Sequence, residues 1–250
     1  MAKKTVLVTG GAAGIGAGIC LRFAEAGYNV AVFDIDAEGA LRMAANLAAH
    51  GEALALTGDV ANEQQVMAAI EAAMAKFGYL DTLVNNAGIE VSGTVADLAA
   101  DQWDRQIAVN LRGTYLMSKY AIAKMSNGGA IVNISSVHAF VSWAGCAAYD
   151  ATKSGLIGLT RAMALDHGGQ GIRVNAICPG YIDTPLMDRW LATLPDREET
   201  MGQLLAVHPV GRIGTPRDVA EAALFLASEA ASFISGTSLV VDGGMTTAGH

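Results

Sequence analysis

The sequence predicts an α/β protein built on a doubly wound parallel sheet, and two features of its pattern support this prediction. Short runs rich in β-branched residues alternate with longer amphipathic stretches, and the short runs are apolar almost throughout. Strands of this kind are typical of a parallel sheet that helices cover on both faces. The predicted strands span residues 5–8, 29–33, 53–56, 82–84, 130–134, 173–177 and 238–241.

Helices are predicted between the strands, where apolar residues recur with helical spacing. The clearest span residues 15–26, 63–77, 103–125, 152–166 and 216–227. No linker, repeat or low-complexity segment interrupts this order, so we expect one domain over residues 1–250. Residues 183–207 stand apart from the alternation, and we expect one or two short helices there that form a mobile lid.

Composition and charge narrow the possible functions. The chain has 250 residues, 52% hydrophobic and 16% charged, which suffices for one large core. Its net charge of −8 would repel a nucleic-acid backbone, so nucleic acid is not an expected partner. Cys20, Cys146 and Cys178 lack metal-binding spacing, and we expect no metal site. They are interpreted as reduced packing residues of a cytoplasmic protein, although Cys146 could instead face a site.

A membrane location is not expected. The mean hydropathy is +0.35, and the longest uncharged window, residues 128–149, is long enough to cross a bilayer. Four polar residues between positions 133 and 138, together with glycines, favour a strand followed by a polar loop instead. Two lysines lead directly into the first predicted strand, which leaves no room for a signal peptide.

A glycine-rich turn, TGGAAGIG, joins the first predicted strand to the first predicted helix. Gly10 permits a tight turn, Gly14 lets the backbone approach a pyrophosphate, and Gly16 allows close packing of the helix. The start of that helix, at Ile15, offers unpaired N–H groups to an anion. Such a turn also occurs as a purely structural element. Whether it binds a cofactor here depends on the residues that end the neighbouring strands.

Asp34 ends the second predicted strand, 18 residues after Gly16. A carboxylate at this place accepts hydrogen bonds from the ribose of an adenosine and repels a 2′-phosphate. Neither Ile35 nor Asp36 supplies a cation that would hold that phosphate. The predicted cofactor is therefore NAD rather than NADP.

The next two strands also end in residues that suit a cofactor site. Asp59 and Val60 follow the third strand, and the fourth ends in NNAG, with Asn86, Ala87 and Gly88. The carboxyl ends of the strands in a doubly wound sheet border the ligand, so these residues are expected there. Asp59 has a second interpretation, as the cap of the helix that begins near residue 62.

The segment YDATK places Tyr149 and Lys153 four residues apart, on one face of a helix. Ser136 precedes Tyr149 by 13 residues and ends a buried-looking strand, while Asn110 lies upstream in VNLRG. With these residues the chain resembles the short-chain dehydrogenase/reductase family in its single-domain form. The resemblance covers essentially the whole sequence, because TGGAAGIG, DV, NNAG, YxxxK, PG and VDGG occur in the family's order.

The resemblance implies a Rossmann-type, seven-stranded parallel sheet in the order 3-2-1-4-5-6-7, and an enzyme that moves a hydride between NAD and an alcohol or carbonyl. It also implies a homotetramer, packed through the helices near 103–125 and 150–167 and through the last strand. In the family, one segment lies beside the nicotinamide amide and the diphosphate of the cofactor. The residues of this chain that match it are Pro179, Gly180, Ile182 and Thr184.

The resemblance also implies a role for each catalytic position. Tyr149 would be the general acid–base, Ser136 the donor to the substrate oxygen, and Asn110 the anchor of a water in a proton relay. Lys153 would hold the nicotinamide ribose and lower the tyrosine pKa. A phenol titrates near pH 10, so Tyr149 is a poor base at neutral pH unless a positive charge favours its phenolate.

Substrate residues follow from position. Those expected around the reacting carbon are Glu90, Ser136, His138, Trp143, Tyr181, Met187 and Trp190. Aromatic walls with several polar groups suit a small polyhydroxylated molecule, and the lid resembles that of diol, polyol and sugar dehydrogenases. Two alternatives stay open: His138 as a structural loop residue, and Trp190 as a contact between the lid and the body.

Two other functions fit parts of the pattern. A 3-oxoacyl-[acyl-carrier-protein] reductase would favour NADPH and need basic residues to dock an acidic carrier. Asp34 argues against NADP, and only Lys124 lies near the SNGG loop. A non-enzymatic NAD-sensing regulator could lose its catalytic residues, but all four are present here, which favours an enzyme acting on a small-molecule substrate.

Overall fold

Seven parallel strands form one sheet in the order β3-β2-β1-β4-β5-β6-β7 in this computed structural model, which describes residues 3–192 and 195–247. The strands are β1 (Thr5–Thr9), β2 (Asn29–Asp34), β3 (Ala53–Thr57), β4 (Thr82–Asn85), β5 (Gly129–Ile134), β6 (Ile172–Pro179) and β7 (Ser238–Val241). Each predicted strand is present, with ends that differ by at most two residues. The Rossmann-type fold and its strand order are thereby confirmed.

The described helices flank this sheet. They are α1 (Gly14–Glu25), α2 (Ala37–Leu47), α3 (Glu63–Phe77), α4 (Ala100–Ile107), α5 (Gly113–Ile122), α6 (Ala147–His167), α7 (Pro185–Leu191), α8 (Arg197–Ala206) and α9 (Pro216–Ala227). The predicted helix 103–125 is in fact α4 and α5, joined by a π-helical turn, Ala108–Arg112. The predicted lid contains α7 and α8, and its residues 193 and 194 lie outside the described residues.

The core lies on both faces of the sheet because successive side chains of a strand point to opposite faces. In β1, Val6 and Val8 join the apolar cluster that includes residues of α1, α2 and α9. Leu7, between them, joins the cluster that includes residues of α3 and α5. All three side chains are fully buried, as expected for a central parallel strand.

Two helix starts contrast in a way that bears on function. Asn62 caps α3, its side chain accepting hydrogen bonds from the N–H groups of residues 64 and 65. Helix α1 begins after Ala13 without any side-chain cap. The first N–H groups of α1 therefore remain available to a ligand at the carboxyl edge of the sheet. Within the described part of the chain, no helix is long and apolar enough to cross a membrane.

Candidate active site

A cavity of about 810 Å³ opens at the carboxyl ends of the strands. Its wall includes nearly every residue that the sequence assigned to the cofactor, the chemistry or the substrate. Those on the wall are Gly10, Gly14, Ile15, Asp34, Ile35, Asp59, Val60, Asn86, Ala87, Gly88, Glu90, Ser136, His138, Trp143, Tyr149, Lys153, Pro179, Gly180, Tyr181, Ile182, Thr184, Met187 and Trp190. Gly16 and Asn110 are the two assigned residues that lie off the wall.

The glycine turn is shaped by backbone geometry that side chains would not permit. Gly10 and Gly14 have φ angles of +62° and +54°, in the left-handed region that favours glycine. Gly16 lies inside the turn and not on the wall, and it is packed so closely that a Cβ there would lie 1.9 Å from the Gly10 carbonyl oxygen. Asn86 ties β4 to this turn, because its side-chain amide donates to the carbonyls of Thr9 and Gly10 at 3.1 and 3.0 Å.

Asp34 lies at one end of the cavity, where its carboxylate orders the neighbouring backbone. It accepts hydrogen bonds of 2.9 Å from the Ala12 N–H and 3.0 Å from the Asp36 N–H. Arg42 on α2 pairs with Asp36 at 3.7 Å and with Glu38 at 3.4 Å. No sequence pattern pointed to this arginine, which lies on α2, a helix that was not among the clearest predicted ones. Two carboxylates already engage it.

Asp59 lies on the wall but does not cap α3, a role that belongs to Asn62. Its side chain accepts a hydrogen bond from the Ala61 N–H at 2.9 Å and forms a 2.8 Å ion pair with Arg105. Arg105, which also lies on the wall, was not predicted. A single arginine in an amphipathic helix carries no sequence signal for such a contact.

The opposite end of the cavity brings Ser136, Tyr149 and Lys153 together. Lys153 is buried, donates a 2.9 Å hydrogen bond to the Ile134 carbonyl, and places Nζ 5.3 Å from the centroid of the Tyr149 ring. The carbonyl of Lys153 accepts a 2.8 Å hydrogen bond from Ser135 Oγ, which joins α6 to the end of β5. Ser136 is the next residue, so the same contacts set its position relative to Tyr149.

Burial shifts the pKa values of the two titratable groups at this end in opposite directions. Burial lowers the pKa of Lys153 to about 8. Burial, followed by the nearby Glu90 carboxylate, raises the pKa of Tyr149 above its ordinary value, while a hydrogen bond with Ser136 acts to lower it. At neutral pH the protonated amine of Lys153 therefore lies beside the neutral phenol of Tyr149. The phenol can donate a proton, and the amine supplies a positive charge next to it.

Asn110 lies in the π-helical turn between α4 and α5, away from the cavity wall. Its amide donates to the Ile89 carbonyl and accepts from the Ile89 N–H, both at 2.8 Å. It thus holds the backbone that follows NNAG, next to Glu90. Its expected role as a water anchor remains a prediction.

Aromatic side chains line the end of the cavity where the substrate is expected, called here the substrate end. The His138 ring lies 4.4 Å from Trp143 and 5.0 Å from Tyr149, and Tyr181 stacks on Trp190 at 6.2 Å. His138 Nδ1 lies 2.6 Å from Asp150 Oδ1. Because a carboxylate only accepts, Nδ1 carries the proton in this hydrogen bond.

Residues of the predicted lid pack against the rest of the chain and also line the cavity. Met187 lies on the wall and packs in a small apolar cluster with Leu191 and Leu204. Thr184 caps α7, and its side chain lies 3.4 Å from where a Cβ on Gly14 would be. The stacking of Trp190 on Tyr181 supports the interpretation of Trp190 as a contact between the lid and the body.

Two further wall residues were not among those assigned to the site by the sequence. Cys146, which the sequence left between packing and a site, lies on the wall, and burial, with Glu90 and Asp150, raises its pKa to about 11. Arg189 in α7 also lies there. Fold and cavity together define a Rossmann-type oxidoreductase, with a ligand cavity at the carboxyl edge of the sheet.

Comparisons with known proteins name the family. A family model described as enoyl-(acyl carrier protein) reductase matches residues 10–246. The 2-(S)-hydroxypropyl-CoM dehydrogenase 3 of Xanthobacter autotrophicus is 43% identical over 247 residues, which are 98% of this chain and 97% of that protein. The D-threitol dehydrogenase of Mycolicibacterium smegmatis is 41% identical over 97% of this chain and 93% of its own.

A solved structure of a dehydrogenase is also similar to this chain. The ligand-free aldohexose dehydrogenase of Thermoplasma acidophilum matches with a TM-score of 0.90 and 40% identity, over 99% of this chain and 96% of that one. The chain therefore belongs to the short-chain dehydrogenase/reductase family and is an oxidoreductase.

Proposed function

We propose that this protein is an NAD-dependent dehydrogenase that interconverts a secondary alcohol and a carbonyl on a small polyhydroxylated substrate, a sugar, polyol or diol. The observation that carries the proposal is the placement of Ser136, Tyr149 and Lys153 at one end of a cavity whose other end holds Asp34. Related proteins named for threitol and aldohexose support the substrate class without identifying the substrate, and one named for hydroxypropyl-CoM supports a secondary alcohol.

The cavity fits a dinucleotide. The uncapped start of α1 suits a pyrophosphate, and the φ angles of Gly10 and Gly14 let the backbone approach it. Asp34 would hold the adenosine ribose, since its oxygens can accept more than the two hydrogen bonds they already receive. Arg42 does not offset that carboxylate, because Asp36 and Glu38 already engage it, which supports NAD over NADP.

The chemistry assigned to this chain's own residues is proton transfer and polarisation. Ser136 Oγ and Tyr149 Oη would donate to the substrate oxygen, and Tyr149 would give up or take the proton there. Lys153 would stabilise the phenolate that Tyr149 becomes. When bound, an oxidised nicotinamide would supply the hydride acceptor and a further positive charge. His138, held by Asp150, would present Nε2 to a second substrate hydroxyl.

Assembly and location are part of the proposal. Ile107, Leu111, Tyr115 and Leu159 line an apolar surface groove shared by α4, α5 and α6, and Phe233 near β7 is fully exposed. Both surfaces are apolar and exposed in the single chain, and the proposed homotetramer would bury them between copies. The three cysteines are free, in keeping with the reducing cytoplasm. Light scattering after size-exclusion chromatography measures the mass, and a monomer would refute the tetramer.

A second candidate function is reduction of the 3-oxo group of an acyl chain carried on acyl carrier protein. The matching family model, described as enoyl-(acyl carrier protein) reductase, favours a substrate on that carrier. Such an enzyme would be expected to use NADPH. A panel of sugars, polyols, diols and 3-oxoacyl thioesters, each with NAD(H) and NADP(H), tests both candidates through absorbance of the reduced cofactor. Turnover only on thioesters with NADPH would replace our proposal.

The roles of the residues are tested with one matched pair. We expect Tyr149→Phe to abolish turnover while NAD binding, measured by calorimetry, is retained. Tyr79→Phe is the control, because the Tyr79 hydroxyl bonds to the Lys3 carbonyl at the amino end of the sheet, away from the cavity. Full activity of Tyr149→Phe would refute the acid–base assignment.

A further inference from the structure

Three donor side chains of different chemistry meet at the substrate end of the cavity. One ligand atom from each of His138, Cys146 and Asp150 lies within 4.8 Å of the others. Among the residues that the structure describes, they are the single group of three His, Cys, Asp or Glu side chains placed this closely. The group was not predicted, because its spacing along the chain matches no metal-binding motif.

The fold places these donors from two neighbouring elements. Cys146 immediately precedes α6 and Asp150 lies in its first turn, four residues later, so both side chains lie on one face of the helix start. His138 comes from the short 3₁₀ turn, Val137–Ala139, that follows β5. The 2.6 Å hydrogen bond between His138 and Asp150 already joins the two elements.

The electrostatic surroundings favour a cation. Glu90 lines the same cavity, and Asp150 is itself one of the three donors, so two carboxylates lie at this end. In the described part of the chain, no lysine or arginine forms an ion pair with either carboxylate. A positive ion at this place would be attracted by both.

We propose that His138, Cys146 and Asp150 form a binding site for Zn²⁺, and that the bound ion inhibits the enzyme by occupying the substrate end of the cavity. Imidazole nitrogen, thiolate and carboxylate are the ligands that Zn²⁺ takes in proteins, and three of them leave a fourth position for water. Ligand atoms around a tetrahedral zinc lie about 3.3–3.6 Å apart, so the three donors need to shift by roughly 1 Å. As the Zn–S bond forms, the thiol proton passes to solvent. Nδ1, the ring nitrogen beside Asp150, becomes the imidazole ligand, so it gives its proton to solvent while Nε2 takes one up.

Inhibition follows from the residues around the site. The His138 ring lies 5.0 Å from the Tyr149 ring and 4.4 Å from Trp143. An ion on His138 and Cys146, which both line the cavity, would occupy space assigned to the substrate and leave Nε2 able only to donate. Zn²⁺ therefore competes with substrate and not with cofactor. This part rests on the proposed function, whereas the binding site does not. The chemistry of turnover needs no metal in this scheme, so chelators leave the rate unchanged or raise it.

Binding is measured on the full chain after treatment with a chelator. Calorimetric titration with Zn²⁺ is expected to give one site, and Cys146→Ser, His138→Gln and Asp150→Asn are each expected to weaken it by at least about tenfold. His50→Ala is the control. His50 is exposed and lies in the turn after α2, apart from the elements that carry the three donors. Co²⁺ provides a second readout: its thiolate charge-transfer band should be present in the wild type and absent in Cys146→Ser.

The site is refuted if the wild type binds no stoichiometric Zn²⁺, or if all three variants bind it as tightly as the wild type. Turnover is then compared with and without Zn²⁺ within each protein. Zn²⁺ binding that leaves substrate KM unchanged would overturn the inhibitory role. Failure of every alcohol in the substrate panel would overturn the proposed function, while calorimetry and the Co²⁺ band would still decide the metal site.

Discussion

Lys153 Nζ lies 5.3 Å from the centroid of the Tyr149 ring and is held there by the Ile134 carbonyl, at 2.9 Å. Both side chains were expected at this place. Their shared burial, which shifts the pKa of each, is a property of the fold. That burial lowers the pKa of Lys153 to about 8 and raises that of Tyr149. The pKa values of this pair thus differ from those that the two side chains would have in water.

A pH dependence of stability follows from Lys153. Above about pH 8 the folded protein holds Lys153 neutral, whereas the unfolded chain keeps its proton until about pH 10.4. The unfolded state then binds more protons, so the free energy of unfolding of the wild type should rise relative to that of Lys153→Met, by at most about 1.4 kcal/mol per pH unit. Urea unfolding of both proteins across this window measures the difference. Curves that stay parallel would show that Lys153 is not destabilised by burial.

Cofactor preference is expected to depend on Asp34. In Asp34→Ala the ribose acceptor and the charge that repels a 2′-phosphate are both lost, so the ratio of kcat/KM for NADP to that for NAD should rise at least about tenfold. Glu71→Ala, on the exposed face of α3, removes the same charge elsewhere and should leave the ratio unchanged. An unaltered ratio in Asp34→Ala would assign the preference to another residue.

His138 is expected to discriminate between substrates. Loss of its hydrogen bond in His138→Ala should cost polyhydroxylated substrates about 1–3 kcal/mol more in kcat/KM than simple secondary alcohols. Asp150→Asn, which keeps the shape but alters the partner of Nδ1, should show the same bias to a smaller degree. Equal losses on both substrate classes would make His138 a structural residue.

Packing at the glycine turn predicts opposite effects for two similar substitutions. Gly16→Ala would place a Cβ 1.9 Å from the Gly10 carbonyl oxygen and should destabilise the protein by about 3 kcal/mol or more. Gly202→Ala, in α8, meets nothing within 4 Å and should stabilise it by up to about 1 kcal/mol, because alanine favours the helix. Thermal unfolding compares the two, and a stable Gly16→Ala would contradict the close approach.

Residues 183–207 are expected to act as a lid. Amide hydrogen exchange of α7 and α8 should be the fastest among the helices without ligand and should slow when NAD and substrate bind. The Met187 cluster is small, with Leu191 and Leu204 as its other buried members, so little apolar area opposes opening. Exchange as slow as that of α9, with and without ligand, would show a rigid lid.

Much of the fold could be predicted from local pattern. Strand periodicity and the apolar character of strands such as β1 depend only on neighbouring residues, and so do the turn formed by Gly10 and the spacing of Tyr149 and Lys153. Motif order along the chain then indicated the sheet order. The π-helical turn that carries Asn110 was not predictable, because its residues continue the helical pattern of the sequence without a break.

The sequence by itself determined the sheet, the family and the residues around Asp34 and Tyr149, since each is encoded by a contiguous motif. Only the tertiary structure decided that Arg105 pairs with Asp59, that Asp150 holds His138, and that Cys146 joins them. Those contacts join residues on separate elements whose distance along the chain says nothing of their distance in space. Their geometry depends on how α4 and α6 pack against the sheet, and no local pattern records that packing.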